Sequence, residues 1–276
     1  MFIRGSVKLN ELKTAGGKLR SFVKRNKKNV AAGFMLLLLA GIAYAAPMAV
    51  VDVANNAAIS ARELPIYCVD RDDKVVALTF DAAWGNEDTQ KILDILEKHN
   101  VKVTFFATGG WVEAYPDDVK KIIEAGHAFG NHSENHKFMT RLTDEQKKQE
   151  LMKVHDKVKA LTGYEMCLFR PPYGDYNDAV VKVADSLGYY TIQWSVDSLD
   201  WKDYGVDSIV RTVTQHKSLD SGAIILMHNG AKYTADALDS IITSLEEQGY
   251  SFVTVAELIH TGKYHMDHTG KQIADE

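Results

Sequence analysis

The sequence predicts an α/β fold with a mainly parallel sheet, either open or closed into a barrel. Short apolar runs alternate with amphipathic segments along most of the chain, which is the pattern of α/β proteins. Polar residues follow several apolar runs, at the end of the strand where such folds place their sites. Of the 276 residues, 46% are hydrophobic and 25% are charged, which excludes a disordered or fibrous chain.

Seven apolar runs predict the strands. The first, at 75–80, is short and continuous, as expected for a strand buried on both faces. The others lie at 101–107, 127–130, 168–169, 189–194, 223–227 and 250–253. Helical patterns separate the runs, and parallel strands need such crossover connections.

Seven segments predict helices, at 87–99, 116–126, 143–161, 177–187, 206–216, 235–247 and 255–259. The first carries its apolar residues at helical spacing. Pro116 begins the second helix and Gly126 ends it, the usual order of these two residues. Gly163 and Gly188 mark the ends of the third and fourth helices.

The N-terminal region has the pattern of a membrane signal. Residues 1–29 contain nine Lys/Arg and one acid, so their net charge is +8. Since the net charge of the whole chain is −5, the remaining residues carry −13. Residues 30–51 are uncharged and long enough to span a bilayer as a helix. We expect a basic cytoplasmic segment at 1–29, a transmembrane signal anchor at 30–53, and a linker with a lead-in strand at 54–72.

This anchor predicts a single-pass protein of the cell membrane whose main domain is extracytoplasmic. The alternative is a cleaved signal peptide, because Ala43-Tyr44-Ala45 fits the small-x-small cleavage pattern; the protein would then be secreted. The acidic main domain argues against nucleic acid as a partner. The oligomeric state stays open.

Two cysteines, Cys68 and Cys167, are present. Outside the membrane they could form a disulfide, or both could remain free thiols. Their spacing does not match a metal-binding pattern.

Polar residues that could form one site follow successive predicted strands. They are Asp81, His132, His136, Arg170, Asp200 and His228. The two histidines four residues apart could share a metal ion on a helical turn. Each residue alone also has an ordinary structural explanation, such as a helix cap for Asp81. Together, and in this order, they favour a catalytic site at one rim of the sheet.

Five short motifs in this order resemble those of the polysaccharide deacetylases, the NodB-homology family or carbohydrate esterase family four. They are Thr79-Phe80-Asp81, His132-Ser133-Glu134-Asn135-His136, Arg170-Pro171-Pro172-Tyr173-Gly174, Asp197-Ser198-Leu199-Asp200-Trp201 and Leu226-Met227-His228. The resemblance implies a deacetylase domain at 73–262, with a polar tail at 263–276. It also implies a distorted (β/α) barrel of about seven parallel strands.

The implied activity is metal-dependent removal of N-acetyl groups from a sugar polymer. A membrane-tethered member is similar to the bacterial peptidoglycan deacetylases, so peptidoglycan is the expected partner. The stretch 80–85 is similar to the sporulation-associated branch. Chitin-like, poly-N-acetylglucosamine and O-acetylated xylan chains are less favoured substrates, and the sugar that loses its acetyl group stays open.

The resemblance assigns a role to each matching residue. It makes Asp81 the catalytic base, oriented by Arg170, and His228 the general acid, held by Asp200. His132 and His136 match ligands of a divalent metal, usually zinc and sometimes cobalt or another ion. The remaining matches are the oxyanion donor, which is the backbone N–H of Tyr173, and the walls of the groove, which are Trp201 and Leu226.

One position departs from the family pattern. The family usually has a third metal ligand, an aspartate, where this chain has Ala82. Water, Asp88 or Glu134 could complete the metal shell. Alternatively, the domain is a catalytically impaired glycan-binding protein on the same fold. A different metallohydrolase on the same barrel is a further alternative, since the fold does not fix the function.

Overall fold

The computed structural model describes residues 62–275, and these form a compact unit from Glu63 onward. The predicted cytoplasmic segment and signal anchor lie outside the described residues. Within the described part, no helix is long and apolar enough to span a membrane.

Eleven strands form one sheet in residues 62–275. Their bounds are β1 Cys68–Val69, β2 Val75–Ala82, β3 Thr104–Ala107, β4 Ala128–Asn131, β5 Leu168–Phe169, β6 Tyr190–Thr191, β7 Val196–Asp197, β8 Ala223–Asn229, β9 Ser251–Phe252, β10 Tyr264–Met266 and β11 Lys271–Ala274. The spatial order is β10-β11-β1-β8-β2-β3-β4-β5-β6, with β7 beside β8 and β9 beside β2. All pairs are parallel except β1–β8 and β10–β11.

Eight α-helices pack against this sheet in the described part of the chain. They are α1 Thr89–Lys98, α2 Gly109–Ala114, α3 Pro116–Glu124, α4 Asp144–Thr162, α5 Asp178–Ser186, α6 Val206–Thr214, α7 Thr234–Glu247 and α8 Val255–Leu258. The predicted α/β class is confirmed, and each predicted strand and helix has a counterpart. The helix α2 was not predicted, because it is short and begins with two glycines; its N-terminus is capped by the Thr108 side chain.

The sheet curls, and one bridge joins its β6 side back to the segment before β1. Ile66 and Ile192 form this parallel bridge. The Ile66 N–H donates to Thr191 O at 2.8 Å, and the Gln193 N–H donates to Ile66 O at 2.8 Å. The curl brings the carboxyl ends of the parallel strands to one rim. The barrel-like sheet therefore has more strands than the expected seven. The strand β1 lies within the expected lead-in region at 54–72, whereas β7, β10 and β11 were not expected.

Alternating residues of β2 face two different layers. The even-numbered residues at 76–82 belong to the apolar cluster between the sheet and the helices. Val75 and Ala77 belong to a second cluster inside the curl, which α8 closes from below. Asp81 continues this inner face at the carboxyl end of the strand, so β2 delivers a carboxylate to the rim above an apolar floor.

The C-terminal segment 263–276, expected to be a polar tail, is largely paired into the sheet. The strand β11 pairs in parallel with β1, and β10 pairs with β11. Of the two alternatives for the cysteines, the structure shows free thiols at Cys68 and Cys167.

Candidate active site

All nine residues singled out in the sequence lie at the same rim. A cavity of about 420 Å³ opens there, lined by Asp81, Trp84, His132, His136, Tyr173, Trp194, Asp197, Trp201, Leu226 and His228. Arg170 and Asp200 lie behind its walls and are fully buried. The curl of the sheet thus brings together residues spread from β2 to β8.

Arg170 holds the carboxylate of Asp81 in place. One guanidinium nitrogen, Nη1, donates to Asp81 Oδ1 at 2.8 Å and to Thr79 Oγ1 at 2.8 Å. Nη2 donates to Gln193 O at 3.2 Å, and the guanidinium lies 4.2 Å from the centre of the Phe106 ring. Burial by itself raises the pKa of Asp81, but the charge and hydrogen bond of Arg170, together with the charges of His132 and His228, outweigh burial and the pKa is lowered. Asp81 is therefore ionised at neutral pH.

The two histidines direct their Nε2 atoms at each other. His132 Nδ1 lies 2.8 Å from Arg170 O, and a carbonyl can only accept, so Nδ1 carries the proton and Nε2 has the lone pair. The Nε2 atoms of His132 and His136 are 3.2 Å apart. Burial lowers the pKa of both, that of His136 to about 4. Both imidazoles are neutral at pH 7, the form that binds metal.

The loop between the histidines is held in an unusual backbone conformation by α4. Ser133 and His136 have φ values of 65° and 51°, which are rare for residues with a side chain. The Glu150 carboxylate accepts from Asn135 N at 2.8 Å, from Asn135 Nδ2 at 2.9 Å and from Lys137 Nζ at 2.9 Å. This helix therefore fixes the approach of His136 to His132.

Asp88 and Glu134, which could have supplied the third metal ligand, are held by other partners and not by the two histidines. Asp88 Oδ1 accepts from Gly230 N at 2.8 Å, and Glu134 Oε1 accepts from Lys157 Nζ at 2.6 Å. Ala82 is fully buried on the helix-facing side of β2. Within residues 62–275, no three His, Cys, Asp or Glu side chains form a ready-made metal site.

His228 is held by a buried carboxylate on the opposite side of the cavity. Asp200 Oδ1 lies 2.7 Å from His228 Nδ1, and Asp200 Oδ2 accepts from His228 N at 2.7 Å and from Thr234 Oγ1 at 2.6 Å. Burial by itself lowers the pKa of His228, but the hydrogen bond and charge of Asp200, together with the charges of Asp81 and Asp197, outweigh burial and the pKa is raised. Trp84 stacks on the imidazole with ring centres 5.5 Å apart.

Aromatic residues surround the opening of the cavity. Tyr173 has φ 60° and ψ 9°, and its ring contacts His136 edge-on, with centres 4.5 Å apart. Phe138 stacks on the other side of Tyr173 at 4.4 Å. Trp201 is 53% exposed, whereas Leu226 is buried in the wall two residues before His228. Exposed rings at a cleft suit the apolar faces of sugars.

Several residues at the site received no role from the sequence. Trp84, Trp194 and Asp197 line the cavity, Phe138 supports Tyr173, and Thr234 contacts Asp200. Trp84 and Asp197 follow strands closely, a signal that could have identified them. The other three depend on contacts between distant parts of the chain.

Comparison with known proteins places this site in context. The family model for polysaccharide deacetylases matches residues 69–192. The peptidoglycan-N-acetylmuramic acid deacetylase PdaA of Bacillus subtilis is 38% identical over 201 residues, which cover 70% of this chain and 74% of PdaA. The peptidoglycan-N-acetylglucosamine deacetylase PgdA of Listeria monocytogenes is 38% identical over 205 residues, which cover 73% of this chain and 43% of PgdA.

A solved structure of similar fold belongs to a pseudoenzyme. This carbohydrate esterase family four pseudoenzyme from Bacillus anthracis is 39% identical, with a TM-score of 0.67, covering 75% of this chain and 69% of that chain. A mutant of it with restored enzymatic activity is 40% identical, with a TM-score of 0.67, covering 75% and 72%. The similar proteins thus include both deacetylases and a pseudoenzyme.

Proposed function

The chain belongs to the polysaccharide deacetylase family, and on that premise we propose that it is a metal-dependent hydrolase removing N-acetyl groups from peptidoglycan. One observation carries this proposal. An ionised Asp81 held by Arg170 and a His228 held by Asp200 face the same cavity. Hydrolysis of an amide requires a deprotonated group that accepts a proton and a protonated group that donates one.

Asp81 and His228 would move the protons. Asp81 accepts a proton from the attacking water, whose oxygen forms a bond to the amide carbon. His228 then donates its proton to the sugar nitrogen as the carbon–nitrogen bond breaks, so acetate and a sugar amine are released. Arg170 keeps Asp81 ionised, and Asp200 keeps the His228 proton available.

His132 and His136 are the residues that would hold the divalent ion. Their facing Nε2 atoms, 3.2 Å apart, match the separation of about 3.3 Å between two nitrogen ligands of tetrahedral zinc. Zinc is the expected ion, with cobalt or another divalent ion as alternatives; when bound, it polarises the carbonyl and acidifies water. The Tyr173 N–H would donate to the oxyanion, and Trp201 and Leu226 would hold the acetylated sugar.

The proposed location is outside the cytoplasmic membrane, with residues 30–53 as the anchor. Support comes from the uncharged stretch behind a basic segment and from the peptidoglycan-directed names of the relatives. Both sugars of peptidoglycan are candidate substrates, because one of these relatives is named for N-acetylmuramic acid and the other for N-acetylglucosamine.

A second candidate function is glycan binding with impaired catalysis. Ala82 favours it, because alanine has no ligand atom at the position of the family's third ligand. The similar pseudoenzyme from Bacillus anthracis adds support. The intact set of Asp81, Arg170, Asp200 and His228 favours the active enzyme.

Acetate release from purified peptidoglycan tests the two candidates. The full-length protein in mild detergent would be assayed with zinc or cobalt, with chelator, and beside His132→Ala. We expect metal-dependent acetate release that the substitution abolishes. No acetate with any metal would favour glycan binding, and release gained by Ala82→Asp would then locate the defect at the missing ligand.

A further inference from the structure

The metal-binding pair lacks a third ligand from the position where the family has one. Two neutral imidazoles bind a divalent ion more weakly than three ligands, and neither replaces the negative charge of a carboxylate. Ala82 supplies no donor atom, and its side chain lies in the apolar layer between sheet and helices. A third protein ligand has to come from another residue that faces the cavity.

Asp81 has one carboxylate oxygen engaged by Arg170, and its other oxygen lies near His132. Oδ1 accepts from Arg170 Nη1 at 2.8 Å, whereas Oδ2 lies 3.6 Å from His132 Nε2. Together with the 3.2 Å between the two Nε2 atoms, these separations are close to the edge of about 3.3 Å that tetrahedral zinc gives its ligands. The three groups do not form a ready-made site, but Oδ2 would have to move only about 0.3 Å closer to His132 Nε2 to reach the ligand spacing of zinc.

The other nearby carboxylates are held by different partners. Glu134 pairs with Lys157, and Asp88 accepts from the Gly230 N–H. Asp197 lines the cavity, but its Oδ1 accepts from Leu199 N at 2.9 Å. Among the described residues, Asp81 is the carboxylate with an oxygen within 4 Å of this histidine pair, since its Oδ2 lies 3.6 Å from His132 Nε2.

Granting the metal-dependent function proposed above, we propose that Asp81 itself is the third protein ligand of the divalent ion, through Oδ2. The Arg170 contact to Oδ1 orients the ligand, as partners of metal-bound carboxylates do. A ligating Asp81 is a poorer proton acceptor, because its lone pair and charge are engaged by the ion. In this chain Asp81 then serves both as metal ligand and as base, so stronger metal binding weakens the base. In the family pattern a second aspartate is the ligand, and the two roles are separate.

Metal binding by Asp81→Asn distinguishes a ligand from a base. Zinc affinity would be measured by equilibrium dialysis on the full-length protein in detergent, and the visible absorption of the cobalt-loaded protein would be recorded. The expected result is a loss of affinity of about 100-fold or more, beyond the 10- to 100-fold typical of residues behind the ligands, with a changed cobalt spectrum. Asp197→Asn is the matched control, since it removes one carboxylate charge from the same cavity, and we expect its affinity to stay within about threefold and its cobalt spectrum to be unchanged.

An unchanged cobalt spectrum in Asp81→Asn overturns the assignment, whatever the affinity, and so does an unsubstituted protein that binds neither metal. If Asp81→Asn does not fold, infrared difference spectra of the unsubstituted, ¹³C-aspartate-labelled protein with and without zinc answer the same question. We expect zinc to shift an aspartate carboxylate band of the unsubstituted protein, and to shift it in Asp197→Asn as well. A spectrum that zinc does not shift overturns the assignment.

Acetate release measured on the same preparations separates this assignment from the proposed function. Asp81-dependent metal binding without acetate release leaves Asp81 as a ligand and refutes deacetylation of the peptidoglycan used. If the protein releases acetate but its metal affinity does not depend on Asp81, the deacetylase function is supported and the assignment of Asp81 as a metal ligand is refuted.

Discussion

His228 and Asp81 face one cavity but are held in opposite charge states. Burial alone would neutralise both groups, yet the pKa of His228 is raised and that of Asp81 is lowered. The difference comes from their partners, Asp200 and Arg170, which are themselves completely buried. Thr234 adds a hydroxyl to Asp200, so the carboxylate that holds His228 has donors on both oxygens.

Asp200→Asn should slow deacetylation and move its pH dependence. A raised pKa keeps His228 protonated above the ordinary value of 6.5, and activity should fall as the pH rises through that raised pKa. Without the Asp200 charge the pKa falls, so the alkaline limb of the kcat profile should move to lower pH. We expect kcat to drop by about 10²- to 10⁴-fold, the usual contribution of general acid–base catalysis.

Asp203→Asn is the control for this prediction, because it removes a carboxylate only three residues from Asp200. Among the hydrogen bonds of the described residues, none joins Asp203 to His228. Its kcat profile should match the unsubstituted protein. An alkaline limb that stays in place in Asp200→Asn would show that His228 is not the proton donor.

At the scale of elements, the geometry of the histidine pair depends on α4. The loop with Ser133 and His136 has two residues at positive φ, so it stores strain that neighbouring contacts must offset. Glu150 supplies three of these contacts, and Lys157 binds Glu134 in the same loop.

Glu150→Gln should weaken zinc binding although Glu150 does not face the ion. The amide replaces one acceptor oxygen with a donor, so the contacts to Asn135 and Lys137 cannot all form, and the loop relaxes. We expect a loss of zinc affinity of about tenfold, as for residues that orient ligands, measured by equilibrium dialysis. Glu145→Gln, in the exposed first turn of the same helix, should bind zinc normally; equal affinities in the two variants would refute the role of this helix.

At the scale of the whole molecule, the interior of the curled sheet changes from apolar to polar along its axis. The floor is the cluster closed by α8, and the rim carries the Asp81–Arg170 pair. His127 is a further buried titratable group, directly before β4. Its Nδ1 accepts from Val103 N at 3.3 Å, and burial together with the nearby Lys102 lowers its pKa to about 4.

The lowered pKa of His127 should make the fold sensitive to acid. The unfolded chain binds a proton at this histidine near pH 6.5, and the folded chain does so only near pH 4. Stability is therefore complete above about pH 6.5 and falls as the pH drops toward 4, by at most about 1.4 kcal/mol per pH unit from this group. Urea unfolding in chelator, followed by tryptophan fluorescence, would measure it.

The variant His127→Gln can accept the Val103 hydrogen bond but does not titrate. Its free energy of unfolding should fall less steeply between pH 6.5 and 4 than that of the unsubstituted protein. Parallel curves for the two proteins would contradict the buried neutral state of His127.

Much of the site could be predicted from the sequence because its signals are local. Strand residues such as 75–80 are recognisable from composition, and the residue after each strand follows directly in the chain. The positions of Asp81, Arg170 and His228 at one rim then follow from the general behaviour of parallel strands. The seven helices could also be predicted, because their capping residues and the spacing of their apolar residues are local features of the sequence.

What only the tertiary structure decided depends on contacts between distant segments. The pairing of β11 with β1, the free state of Cys68 and Cys167, and the hydroxyl of Thr234 on Asp200 have no local signature. By itself the sequence determined the fold class, the family resemblance and the absence of a ligand atom at Ala82. The structure decided which remaining carboxylate lies nearest the histidines, because the curl of the sheet sets that distance and no run of neighbouring residues encodes it.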